Sequence, residues 1–93
     1  MPESKEHKMC KEQLAEITRC KKEAHIGPKR RADVACSPNL FFEVECKKVF
    51  GERICVIELR TKIVKREFVL GRLKCNELKA LVEALSLRRN KLR

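Results

Sequence analysis

Ninety-three residues make one small domain, and a hydrophobic content of 43% is enough to fold it. The formal net charge of +10, from 23 Lys and Arg against 13 Asp and Glu, bears on partners rather than on fold. It suits a polyanion, and the rival reading is a solubilised surface with acids interspersed. No stretch reaches the length of a transmembrane helix, and the first 24 residues are charged throughout, without the apolar segment of a secretory leader. The expected setting is therefore cytoplasmic, with no membrane partner.

Residues 4–25 read as a helix. They contain neither Gly nor Pro, Ser4 is placed to cap them, and Cys10, Leu14, Ile17, Cys20 or Lys21, and Ala24 follow a narrow helical stripe that ends at Gly27-Pro28. Residues 27–39 read as a basic linker closed by Ser37-Pro38-Asn39, in which residues 34–36 could add a short strand.

Residues 40–73 hold the antiparallel strands. Leu40, Phe42, Val44 and Cys46 alternate with Phe41, Glu43, Glu45 and Lys47, and the alternation resumes after Phe50-Gly51. A tight turn there sets Cys46 opposite Cys55, Val44 opposite Ile57, Phe42 opposite Leu59 and Leu40 opposite Thr61. A slip of one residue would mix core and solvent faces, so this register is strongly specified. Lys65-Arg66 marks the next turn, and residues 67–73 form a third strand with Phe68 and Leu70 inward and Gly71 at a bulge or close approach. Residues 75–90 read as a second helix, capped by Cys75 or Asn76. Its stripe of Leu78, Leu81, Val82 and Leu85 is expected to lid the inward face. The basic tail 91–93 completes the chain. The expected fold is α+β: an N-terminal helix, an antiparallel sheet of three or four strands, and a C-terminal helix covering one face.

Few catalytic parts are present. His7 and His25, the only histidines, both fall in the expected first helix, and no GxSxG, HExxH or phosphate-cradling glycine loop occurs. Glu43, Glu45 and Glu58 share a strand face, but without a nucleophile they read as a solvated surface. A non-enzymatic protein without cofactor is expected. The six cysteines lie nine or more positions apart, which fits no zinc-ligand spacing. Cys10 and Cys20 on one helix would lie about 15 Å apart, too far to bridge. Cys46 and Cys55 are the geometrically natural pair, either bridged or as neighbouring buried thiols. One Gln, three Asn and 39% charged residues point to a hyperthermophilic source, whose intracellular proteins can be disulfide-rich.

On the outward face of the hairpin, Phe41 opposes Arg60 and Lys47 opposes Ile54, with Lys62, Lys65 and Arg66 continuing toward the second turn. An aromatic beside cations is the material of single-strand binding: bases stack on the ring while Lys and Arg neutralise phosphates. The candidate contacts are Phe41, Lys47, Arg60, Lys62, Lys65 and Arg66, with Lys29, Arg30 and Arg31 on the linker. The competing reading covers Phe41 with the first helix or a second subunit.

The run LFFEVECKKVFGERICVIELR, a basic turn, REFVLGRLK and NELKALVEAL resembles small single-strand-binding modules of the Pur-alpha, Whirly and transcriptional-coactivator type, and the archaeal ThermoDBP-related proteins. The resemblance spans about half the chain and is one of pattern. It implies a curved sheet that binds single-stranded DNA or RNA with little sequence preference, in a dimer or larger homo-oligomer. Helix–three strands–helix is also the order of the double-stranded-RNA-binding domain, but here the last helix begins Cys75-Asn76-Glu77 instead of with a lysine cluster. A dimeric protein-interaction module built on the first helix and the sheet is the third reading.

Overall fold

The computed structural model describes residues 3–91, with side chains through Ala84. Helix α1 (Lys5–Thr18) is followed by strands β1 (Lys21–Gly27), β2 (Arg30–Ser37), β3 (Leu40–Val49), β4 (Glu52–Ile63) and β5 (Arg66–Lys74), and then by helix α2 (Cys75–Lys91). The strands form one antiparallel meander in the order β1-β2-β3-β4-β5. The α+β class and the two helices stand, but the sheet has five strands where three or four were expected. Leu85 and the basic run 88–93 lie outside the residues whose side chains are described.

The helix expected over 4–25 stops at Thr18. Ser4 caps it, its Oγ accepting the His7 N–H at 3.1 Å. At the other end the Thr18 hydroxyl bonds back to the Leu14 carbonyl at 2.8 Å, and Arg19 turns left-handed at φ 59°. Such side-chain bonds compete with the helix ladder and end it without Gly or Pro. Residues 21–27, His25 among them, then pair with β2, which occupies the expected linker. Good helix propensity in this segment gives way to the pairing that β2 offers. Gly27-Pro28 thus ends a strand, not a helix.

The central hairpin has the expected register at every position, from Leu40 opposite Thr61 to Val49 opposite Glu52. The turn between β4 and β5 centres on Val64-Lys65, one residue earlier than expected. A bulge lies opposite Leu59 and Arg60, with Leu70 as the extra residue beside Gly71.

The inner face of the sheet is closed by α1. Cys10 and Leu14 pack on Val34, Val44, Cys55 and Ile57, and α2 contributes Leu78 from its first turns. The expected lid is therefore mostly α1, since Leu81 of α2 is exposed. Among the described residues neither helix covers the far half of this face, and Phe68 and Leu70, expected inward, are solvent-exposed. The side chain of Lys11, also buried, sits between Glu3 and Glu23 and joins α1 to β1. Burial alone would lower its pKa, but the hydrogen bonds it donates to those carboxylates outweigh this and leave it raised.

A second, smaller core lies on the outer face. Asp33 marks its origin: its carboxylate accepts the Val44 N–H at 2.7 Å, in place of a strand carbonyl. Val34 packs in the inner core while Ala32, two residues away, packs in the outer one. From Asp33 the β1–β2 hairpin leaves β3 and folds across the outer face, where Ile26, Ala32 and Ala35 close over Phe41.

Three disulfides staple these layers. Cys46–Cys55 crosses the hairpin as the register requires, with Cα atoms 4.0 Å apart and both side chains in the helix-covered core. Cys20–Cys36 joins the α1–β1 connection to β2, and Cys10–Cys75 joins α1 to α2. Their chain separations are 9, 16 and 65 residues. Loop-closure entropy then makes removal of Cys10–Cys75 the costliest, about 4 kcal/mol, against about 3 kcal/mol for each of the others. Urea unfolding of the paired Cys→Ala variants should return that order.

Candidate nucleic-acid interface

Acids and bases on the outer face form one continuous chain of ion pairs. Arg30, at the start of β2, reaches across the sheet to Glu67 of β5, donating from Nε and Nη2 at 3.1 Å each. Arg30 Nη1 also lies 3.5 Å from Glu43. Glu67 accepts from Arg60 Nη1 at 3.3 Å. Arg60 grips Glu58, whose second oxygen accepts from Arg72 Nε at 2.8 Å. The guanidinium of Arg30 sits 5.6 Å from the centre of the Phe41 ring and completes its cover.

These contacts tune the carboxylates in opposite directions. The hydrogen bond from Arg30 holds Glu67 below its ordinary value of 4.5, and those from Arg60 and then Arg72 do the same for Glu58. Glu3 is lowered chiefly by Lys11. Glu43 is raised, first by burial and then by the nearby charge of Asp33. Its Oε1 is buried without a hydrogen-bond partner among the described residues.

The expected contact residues therefore divide. Phe41 does project outward but is completely buried, at 0% exposure, so it offers no face to a base. Arg30 and Arg60 are committed to the ion chain. Lys29, Arg31, Lys65 and Arg66 are exposed and Lys62 is half-buried, and among the described residues none is held in an ion pair. The two segments that carry them meet although they lie 31 positions apart, from Arg31 to Lys62. The Arg30–Glu67 pair brings the tip of the β1–β2 hairpin to the β4–β5 turn, and Lys62 Nζ lies 3.7 Å from where a Cβ on Gly27 would sit.

No family model, curated protein or solved structure matches the chain.

Lys47 lies apart from this cluster, toward the other end of β3. There it lines an open trough of about 350 Å³ on the half of the outer face that the hairpin leaves bare, with Ile54 and Val56 as floor and Arg72 on its far side. Arg72, Ile54 and Phe50 were not among the expected contacts. Alternation along β4 already placed Ile54 outward, and the tight turn already placed Phe50 at a tip. The one signal absent from sequence was that Phe41 would be covered and these residues left open.

The opposed shifts predict a pH dependence. Glu3, Glu58 and Glu67 have lowered folded values, so they add stability above about pH 4.5 that is lost as pH falls through those values. Glu43, being raised, works the other way: its charged form is a cost near neutrality, relieved when it binds a proton. With three groups against one, thermal unfolding followed by circular dichroism should show net destabilisation below about pH 4. Glu43→Gln should stabilise at pH 7 by on the order of 1 kcal/mol, with the gain vanishing in acid.

Proposed function

We propose that this chain binds nucleic acid through phosphate contacts at the two joined basic turns, and that single-stranded DNA or RNA is its ligand. The observation that carries the reading is the Arg30–Glu67 clamp, which joins the segment that carries Lys29 and Arg31 to the one that carries Lys62, Lys65 and Arg66. Cations so grouped release condensed counterions from a phosphate backbone, a favourable term that does not depend on sequence. Hairpin turns beside an open strip of sheet suit a flexible strand whose phosphates can follow them. The double-stranded-RNA-binding domain has three strands between its helices, whereas β1 and β2 here precede the central hairpin. Binding, not catalysis, is the activity proposed. The setting proposed with it is the interior of a hyperthermophile, where three disulfides persist.

A specific observation favours a second reading, a homo-oligomeric interaction module. The uncovered half of the inner face and the exposed side of α2 present Leu40, Phe68, Leu70 and Leu81 to solvent, and such patches mark contact surfaces. In that reading the contact is the open end of the sheet, since α1 is spent on the chain's own core.

Fluorescence anisotropy with labelled oligonucleotides at two salt concentrations tests the first reading. Lys62→Ala with Arg66→Ala should weaken binding to every sequence alike and flatten the salt slope by roughly one to two units. Arg60→Ala should act through stability more than through the slope, because Arg60 is tied to Glu58 and Glu67. For the second reading, light scattering should show an oligomer that Phe68→Glu dissociates. A monomer at high micromolar concentration would set that reading aside.

A further inference from the structure

We infer that the trough beside the β3–β4 hairpin is a base-binding site, and that Phe50 is the ring on which a base of single-stranded nucleic acid stacks. This rests on the nucleic-acid reading above, and it supplies what the basic turns do not: a reason for single strands to be preferred. Phe50 is fully exposed, at 102% of its reference surface. It occupies the first position of a two-residue turn in which both residues are left-handed, Phe50 at φ 50° and Gly51 at φ 81°. Turns of that kind favour Asn, Asp and Gly, whose side chains tolerate the conformation. An aromatic held there at a conformational cost and packed on nothing among the described residues points outward to a ligand.

The neighbourhood fits a nucleotide strand. Val49 and Ile54 flank the turn with over a third of their surface exposed, and with Val56 they make an apolar floor that begins beside the turn, Phe50 itself standing outside the trough's lining. Lys47 rises on the β3 side. Arg72 stands opposite, with 66% of its side chain exposed while its Nε holds Glu58. Glu58, the acid at the inner end, is neutralised by Arg60 and Arg72, and Glu45 is the remaining carboxylate along the trough. Bases would lie on the apolar floor, with phosphates directed to Lys47 and Arg72. A duplex keeps its base faces stacked inside and cannot use this surface. A lipid bilayer would engage the protruding tip but leave the recessed, charged trough unused.

The absence of Trp and Tyr from the chain makes the test direct. Binding is measured for a 20-mer of thymidylate and for linear polyphosphate of matched charge. Phe50→Asn, a residue suited to the turn, keeps the hairpin, which the Cys46–Cys55 bridge also closes. It should lose about tenfold in affinity for the oligonucleotide and none for polyphosphate. Phe50→Trp should bind at least as well as the wild type, and its fluorescence should be quenched by the oligonucleotide but not by polyphosphate. Equal oligonucleotide affinity for Phe50→Asn and wild type overturns the site, as does a Trp signal that responds to phosphatidylserine vesicles and not to the oligonucleotide. If the wild type binds both polyanions with the same affinity, the basic turns stand and the stacking site falls. If it binds neither, the nucleic-acid reading itself fails.

Discussion

Phe41 is sealed from solvent because the β1–β2 hairpin has left the plane of the sheet to lie over it. That departure starts at Asp33, whose carboxylate takes the Val44 amide and so satisfies a ladder donor without a strand opposite. Freed from β3, the hairpin brings Ile26 and Ala32 down as an apolar cover and Arg30 as a charged latch on Glu67. The remaining surface follows from this one fold-over. It divides the outer face into a closed half, from which ion pairs run out from Glu43 to Arg72, and an open half, where Glu58 and Arg72 line the trough.

The latch also decides what the large positive charge can do. A net charge of +10 would spread repulsion evenly if the cations were scattered. Here Arg30 and Arg60 are spent on Glu43, Glu58 and Glu67, and Arg72 adds one bond to Glu58, so they strengthen the sheet and hold Glu58 and Glu67 ionised. Guanidinium groups suit this role, since their planar fork makes several directed bonds at once. Lys29 and Lys65 on the turns, with Arg31, Lys62 and Arg66 on the strand ends beside them, are in no ion pair among the described residues, and in the proposed reading they exchange water and counterions for phosphate.

A small chain has little apolar surface to bury, and this one divides it between two cores on opposite faces. Each is thin. The inner core is braced by disulfides at Cys10–Cys75 and Cys46–Cys55, and Cys20–Cys36 fastens the connection from α1 to the hairpin that forms the outer one. Cross-links between layers offset the shortage of packing by restricting the unfolded chain. The same shortage leaves half of the inner face uncovered by the described residues, because α1 spans only one end of it and α2 meets it through Leu78.

Local pattern was sufficient for the central hairpin. Alternation in β3 and β4 around Phe50-Gly51 admits one register that keeps Val44, Cys46, Cys55 and Ile57 on a single face, and it therefore set Cys46 opposite Cys55 while leaving bridge or free thiols open. Ser4 as cap and a helix at 75 onward were legible for the same reason, since each depends on residues within a few positions. Residues 21–37 were not legible. Lys21 to Ile26 favour a helix when read alone, and they became a strand only because β2 and the Cys20–Cys36 bridge gave them partners. The burial of Phe41 was hidden too. Its outward direction follows from the period of two, but what lies above that face depends on a hairpin 10 to 15 residues earlier in the chain, from Ile26 to Arg31. Which cations would be free was likewise settled in three dimensions, because ion pairs such as Arg30–Glu67 join positions 37 residues apart and leave no periodic trace in the sequence.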